Sequence, residues 1–417
     1  MTINYNSFKT IFLSIGLLLV STALLISGSG FINTLISLKL KMDGYSSLVI
    51  GVISSMYFLG MLVGSLKISL LINIVGYVKS FSTLSAVMAI SILFPGMYEN
   101  LYALSVCRFI QGVCIAGLYV IVESWVLCSS SDNTRGKNLA TYMIVLYGSY
   151  SLSQFLLSAD HMNTIIPFCI ASMLVISSII PLSSFPVTPP MLEEHQHIKI
   201  MRIYRASPSG FVGCFISGLF IAAIFTIFPL YVEEVVHSTY QVSVLLSITF
   251  LSGVLMQYPL GWLSDKMDRQ TLQILLNICY TALLILFAFL EIKGMVNFNI
   301  LIFIAIGIGM FSFTIYPISM NLVCDNLKRS EIVRGTEVLT IAFGMGSILG
   351  PIYTTFSIKI FGFSGYSIAY ASLTILLTMF SLILYRKTQR EKHIPISETI
   401  TPFIPHTNID TSNINIK

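Results

Sequence analysis

Arg108 and Glu123 stand inside an apolar run, Leu101–Val126, whose other residues suit hydrocarbon rather than water. A guanidinium at such a depth costs a few kcal/mol unless partners or water meet it. Arg108 must therefore face the interior of a bundle. There it could contact an anion or lie on a proton path, or serve as packing glue between the first and fourth apolar runs. Gln111 lies about one helical turn on and covers a neighbouring face. Glu123 follows Arg108 by 15 residues, about 22 Å along a helix at ~1.5 Å per residue, so the two cannot pair. A carboxyl withdrawn from water can exchange a proton near neutral pH, which makes Glu123 a proton-coupling candidate. It could equally buttress a charge cluster with Arg135 or another base at the same end of the run. Glu337 opens a later run, where the helix dipole suffices to explain it. The strings GxSxG, HExxH and GxxxxGK[ST] do not occur, so hydrolase or ATPase machinery is not expected.

The elements that must position these groups follow from composition. The chain has 417 residues, 55% of them hydrophobic and 10% charged, with a mean hydropathy of +0.85. Soluble domains carry about 25% charged residues, so most of this chain cannot face water. A helix crossing a bilayer needs about 20 predominantly apolar residues, and twelve such runs can be read. The first six are Ile11–Leu38, Leu48–Leu66, Val78–Met97, Leu101–Val126, Leu139–Leu157 and Ile165–Leu182. The second six are Phe211–Val232, Val242–Leu263, Leu272–Leu290, Ile300–Val323, Val338–Ser357 and Tyr366–Tyr385. They must be helices, because hydrocarbon offers backbone amides no outside partner and alternating barrel strands are absent. The seven cysteines lie in or beside apolar runs without a CxxC spacing, and are expected to be small reduced hydrophobes rather than disulfides or metal ligands.

Orientation is read from Lys and Arg. With the N-terminus in the cytoplasm, eighteen of these residues fall on the inner side and four (Lys39, Lys41, Lys293 and Lys359) on the outer side. This predicts both chain ends inside. A polar stretch over 183–208, with Pro186, Pro189 and Pro190, reads as a cytoplasmic linker with a short surface helix after it. It divides the chain into an N-terminal six-helix bundle (1–182) and a C-terminal one (209–387), before a disordered tail (388–417). The halves echo each other. Gly64-Ser65-Leu66 is matched 197 residues later by Gly261-Trp262-Leu263, and Arg135-Gly136 is matched 199 residues later by Arg334-Gly335. Two parallel repeats are the plan of a secondary transporter, with a site between the halves.

At these residues the sequence resembles the major facilitator superfamily. Gly261-Trp262-Leu263-Ser264-Asp265-Lys266-Met267-Asp268-Arg269 is similar to that family's G-x-L-a-D-r-x-G-R loop, with Asp268 where Gly is usual. In the first-half copy Gly64, Leu66 and Gly76 remain, but Ile68 replaces the acid. Leu104, Arg108, Gln111 and Gly112 resemble the L-x-x-x-R-x-x-Q-G pattern of the fourth span. Ser54-Ser55-Met56-Tyr57-Phe58, Val122-Glu123-Ser124 and Pro229-Leu230-Tyr231 resemble one bacterial branch of inner-membrane transporters with unassigned substrates. The Gly-Pro motif of antiporters is missing from the fifth span.

The resemblance implies an all-α fold of twelve transmembrane helices and a secondary transporter of a small organic solute, proton-coupled, working by alternating access. A transporter-shaped sensor or a multidrug antiporter is the alternative. It implies an asymmetric latch in which Asp265, framed by Gly261 and Arg269, docks at the N-terminus of the fifth helix beside Arg135. There the dipole and Arg135 both favour a carboxylate. Groups that could line a cavity are Tyr119, Tyr142, Tyr147, Tyr150, Gln154, Gln257, Tyr316 and Asn321, although tyrosines also anchor spans at interfaces. No catalytic residue, metal or cofactor is implied. The expected partners are the solute, protons and lipids, not nucleic acid, and the expected state is a monomer in the inner membrane.

Overall fold

The computed structural model describes residues 5–98, 100–128, 135–158, 164–185, 200–327 and 332–392. The middle of the expected linker, including His195 and His197, and the tail beyond 392 lie outside these residues. The described chain is helical throughout. In the first half, α1 is Tyr5–Met42, α2 Ser47–Val75, α3 Tyr77–Met97, α4 Leu101–Cys128 and α5 Arg135–Ser153; α6 (Ile166–Ser177) and α7 (Ile179–Ser184) complete it. After a short α8 (Ile200–Ala206) come α9 (Pro208–Thr226), α10 (Phe228–Val236), α11 (Thr239–Lys266) and α12 (Arg269–Ile292). The chain ends in α13 (Phe298–Cys324), α14 (Ile332–Phe361) and α15 (Gly365–Lys392).

Local chemistry sets the boundaries. Side-chain oxygens of Asn100, Ser207, Asp268 and Asn297 accept the free amides that begin α4, α9, α12 and α13. Asp268, the departure from the family's loop, thus serves as a helix cap. Gly76 alone separates α2 from α3, and its φ of 82° is one that other residues rarely adopt. Inside the helices, hydroxyls such as those of Thr22, Ser55 and Thr354 donate to the carbonyl four residues back. Their polarity is thereby satisfied without water.

Eleven helices among the described residues are long and apolar enough to span a membrane. Large apolar side chains such as Ile74, Ile90, Leu152 and Phe303 point outward, as a lipid-facing belt requires. The expected fifth span is the one that fails this measure. It forms α5 followed by a 3-10 turn at Gln154–Ser158, but it carries Asn138, Thr141, Gly148, Ser149 and Ser151 among its apolar residues. It can afford them because it packs on protein, against α1, α4 and α11, on several sides. The sixth and seventh spans are each two helices, broken at Ser178 and at Ile227.

Packing repeats between the halves. In the first half α2 lies on α4, α1 on α5 and α6, and α3 on α4 and α6. In the second half α11 lies on α13, α9 on α14 and α15, and α12 on α13 and α15. Equivalent glycines make the closest approaches: a Cβ at Gly112 of α4 would sit 1.9 Å from the Tyr57 carbonyl of α2. One at Gly309 of α13, 197 residues later, would sit 1.9 Å from the Thr249 carbonyl of α11. The halves meet along two seams, α2 with α14 and α5 with α11.

Backbone contact at Gly112 leaves no room for a methyl group. Gly112→Ala is expected to destabilise by about 1–3 kcal/mol through overpacking, outweighing its gain in helix propensity of about 1 kcal/mol. Gly148, with nothing within 4 Å of its Cβ position, should tolerate Ala or gain stability. Thermal unfolding of both variants in one detergent compares them directly.

Candidate functional site between the halves

Two faces of the bundle serve as reference: the linker face, where α7 ends and α9 begins, and the far face, which carries the turns at 43–46, 293–297 and 362–364. Lys41, Ser55, Ser151 and Ser247 join the halves at the far face or in the half of the bundle next to it. Lys41, at the end of α1, reaches across to α10. Its Nζ lies 2.8 Å from Glu233 and 3.2 Å from Glu234, and it donates to the Leu230 carbonyl at 2.8 Å. Each exposed ion pair adds only about 0–1 kcal/mol, but three acceptors for one ammonium tie α1 to α10. Ser55 of α2 donates to the Ile348 carbonyl of α14 at 2.8 Å. Ser151 and Ser247 exchange hydroxyl-to-carbonyl bonds at 2.9 and 2.7 Å, clasping α5 to α11.

Below this closure sits an aromatic layer. The Tyr150 ring lies 4.9 Å from Phe225 and 5.6 Å from Phe250, and Tyr147 lies 5.1 Å from Phe313. Tyr119 and Tyr150 share a hydroxyl hydrogen bond at 2.7 Å. Toward the linker face come half-buried polar groups from both halves: Glu123 on α4, Gln257 on α11, and Tyr316 and Asn321 on α13. Glu123 accepts a 3.3 Å hydrogen bond from Tyr142 and interacts electrostatically with Tyr147 and, across the seam, with Tyr316. An acid and several phenols from α4, α5 and α13 therefore interact, and α11 and α13 carry the amides of Gln257 and Asn321 toward the same face. Such a surface can bind a polar organic solute on its hydroxyl and amide groups while aromatic faces hold its apolar part.

Arg108 occupies a different place. It is 1% exposed and belongs to the first half alone. One of its terminal nitrogens donates to Asn33 of α1 at 2.7 Å and to Gln111 at 3.0 Å, and its guanidinium lies 4.4 Å from the Tyr57 ring centre of α2. Gln111 in turn donates to the Ser91 carbonyl of α3 at 2.9 Å. One side chain thus touches α1, α2 and, through Gln111, α3. Arg108 makes no ion pair among the described residues. The structure does not bring Arg108 and Gln111 together with Glu123. Thr34 of α1 extends the polar lining by donating to Gln154 at 2.9 Å.

The expected latch residues are placed unevenly. Arg135 begins α5, and Gly261 and Asp265 lie in the last turns of α11. The surroundings of these three lie outside the described part of the structure. Arg269 is described: it pairs with Asp325 at the end of α13 and donates to the Ser264 carbonyl, both within its own half. Lys266 stands 3.7 Å from the exposed Trp262 ring centre. Sequence reasoning missed the Lys41 cluster at the far face, where surface charges gave no signal of a cross-half contact. It also missed Glu291, which lies one residue beyond the run Leu272–Leu290.

Arg108→Lys is expected to lower stability by about 1–3 kcal/mol, since an ammonium cannot reproduce a planar fork that bridges two amides over a ring. Asn33→Ala should lose a comparable amount. Thermal unfolding of both variants checks the expectation, and a native melting point for Arg108→Lys would refute a geometric role.

Comparison with known proteins gives the fold a context. A sequence profile described as "Major Facilitator Superfamily" matches residues 18–351 and 210–411. The chain is 29% identical over 343 residues to an uncharacterized MFS-type transporter, YcaD, of Escherichia coli O139:H28, covering 81% of this chain and 86% of the relative. The crystal structure of the nucleoside transporter NupG superposes with a TM-score of 0.73 at 12% identity, covering 89% of this chain and 99% of that one. That of a D-xylose–proton symporter gives 0.72 at 13% identity, covering 89% and 97%. Residues matched across both halves, together with the doubled packing, show that this chain belongs to the Major Facilitator Superfamily.

Proposed function

We propose that the protein carries a small organic solute across the membrane by alternating access, coupled to protons. The observation that carries this reading is how the halves meet: Lys41, Ser55 and the Ser151–Ser247 exchange tie them at and near the far face, while Glu123 of one half and Tyr316 of the other interact nearer the linker face. A site enclosed on one side, between two repeats, is what alternating access requires. With the termini inside, as the Lys and Arg bias indicates, the far face is the outer one and this state is closed to the outside. The membrane in question would be the inner membrane of a bacterium, with the chain working as a monomer because both halves reside in it.

Glu123 is the proposed coupling acid for the solute site, exchanging its proton with the linker side. Tyr119, Gln257, Tyr316 and Asn321 are the proposed solute contacts. Arg108 and Gln111 hold α1, α3 and α4 in register behind that site. When the linker side closes, Asp265 would dock at the start of α5 near Arg135, with Gly261 allowing the approach and Arg269 anchoring the loop.

Uptake into proteoliposomes under an imposed pH gradient, screened first with nucleosides and pentoses, tests the function. Solute accumulation abolished by a protonophore is the expected result; no gradient-dependent movement of any solute in a broad panel would favour a sensor instead. Glu123→Gln should lose accumulation against a gradient while keeping solute exchange. For the latch, Asp265→Asn should shift the balance between inward- and outward-open forms by about 2- to 30-fold, the equivalent of ~0.3–2 kcal/mol at a helix terminus. An unchanged balance and unchanged transport would remove the latch.

A further inference from the structure

A second acid lies buried in the C-terminal half, far from Glu123. Glu291, in the last turn of α12, is 7% exposed. One carboxyl oxygen accepts the hydroxyl of Ser367 on α15; the other, Oε1, is buried with no donor in full hydrogen-bond geometry among the described residues, and the Tyr231 hydroxyl is the carboxyl's other polar neighbour. No cation pairs with it there: Lys293, two residues on, lies 5.9 Å from the Phe289 ring centre instead. The titratable groups that interact with it are Tyr231 of α10 and Tyr366 of α15. Tyr370 of α15 and Tyr280 of α12 stand behind Tyr366. The adjoining stretch of α13 (298–312) and the turn at 362–364 contain no titratable residue, and Tyr240, the only such residue in the first half of α11, is exposed. The near end of α9 has none either. Glu234 of α10 adds like charge on the Tyr231 side.

An ionised carboxylate in such an enclosure has neither a counter-ion nor a full set of donors, and both lacks are costly. A proton supplies what is missing: it removes the charge and gives the carboxyl a donor of its own. What makes the site more than a buried acid is α10. This nine-residue helix is set off from α9 by the break at Ile227 and by Pro229, which has no amide to donate. Tyr231 on α10 faces Glu291, while Leu230, Glu233 and Glu234 on the same helix hold Lys41 of the other half.

We propose that Glu291 is a proton-binding site of the C-terminal half, and that its occupancy is transmitted through α10 to the Lys41 clasp that closes the far face. With the proton bound, the carboxyl remains enclosed and the clasp holds. When the proton leaves, the carboxylate requires water or a cation, and the route to both is displacement of α10 toward the far face. Acid therefore favours the closed far face and alkali the open one. The proposal rests on alternating access, and its test needs no identified solute.

Spin labels placed by Tyr45→Cys and Lys359→Cys, in a background with the seven native cysteines replaced, report the separation of the halves at the far face in nanodiscs. Between pH 5 and pH 8 the closed-to-open ratio should fall at least about tenfold, the change produced when two states differ by one pKa unit at a single group. Glu291→Gln should hold the closed distribution at every pH, and Lys41→Ala should open it at every pH. A native response in Glu291→Gln overturns the proposal, as does a pH-insensitive native protein that Lys41→Ala nevertheless opens. If no variant moves the distance, alternating access itself fails and this proposal falls with it. Should Glu291→Gln not fold, Ser367→Ala and Tyr231→Phe take its place; each should move the midpoint of the response, and two unmoved midpoints overturn the proposal.

Discussion

Hydrocarbon offers no hydrogen bond, and the rest of this structure is arranged around that deficit. Every backbone amide within a span is consumed by its own helix. A polar side chain is then favoured where it meets a partner on the same helix, on a neighbouring helix, or in a wet interior. Serines and threonines take the first route, donating back to carbonyls three or four residues earlier. Arg108 takes the second, and in doing so sets the register of four helices. Glu123 takes the second as well, accepting from Tyr142 of α5, and remains only half-buried.

The same deficit explains why small residues mark the tight contacts. Between helices in lipid there is little hydrophobic gain from association, so close backbone approach and dispersion must hold the bundle together. Gly60, Gly64 and Gly112 bring α2 against α4, while Gly218, Gly346 and Gly350 bring α9 against α14. The cross-half seams are more polar. Ser55 with Ile348 contributes one hydrogen bond and the Ser151–Ser247 exchange two, contacts that can be broken and remade more readily than a glycine-packed face. Strong packing within a half and lighter, polar ties between halves suit two bodies that move against each other.

The two buried acids differ in setting. Glu123 has a phenol partner and lies in the half-buried lining shared by both halves. Glu291 sits in a closed aromatic compartment within one half and reaches the seam only through α10. A chain with an acid in each half, one near the proposed solute contacts and one behind the Lys41 contacts, has separate places at which protonation and closure can be linked.

How much of this could be read from the sequence varies with the range of the interaction. The helical class, the number of apolar runs and the doubling were legible, because hydropathy and spacing are properties of single segments. That Arg108 must face protein was legible for the same reason: its burial cost does not depend on which helix meets it. Its actual partners, Asn33 and Tyr57, are 75 and 51 residues away in the chain, and only the packing of α1 and α2 on α4 chose them. The breaks at Ser178 and Ile227 had a faint signal, since Pro181 and Pro229 follow them closely, but apolar residues continue through both. Asp268 read as a departure from a motif; its role as a cap came from the helix that begins beside it. Lys41 with Glu233 and Glu234, and Glu291 with Tyr231 and Ser367, are ordinary residues near run ends until two remote helices lie side by side. Sequence by itself determined what must be buried, because transfer from water is a property of the residue. Tertiary structure alone decided what each buried group meets, because that depends on the relative placement of segments from about fifty to about two hundred residues apart.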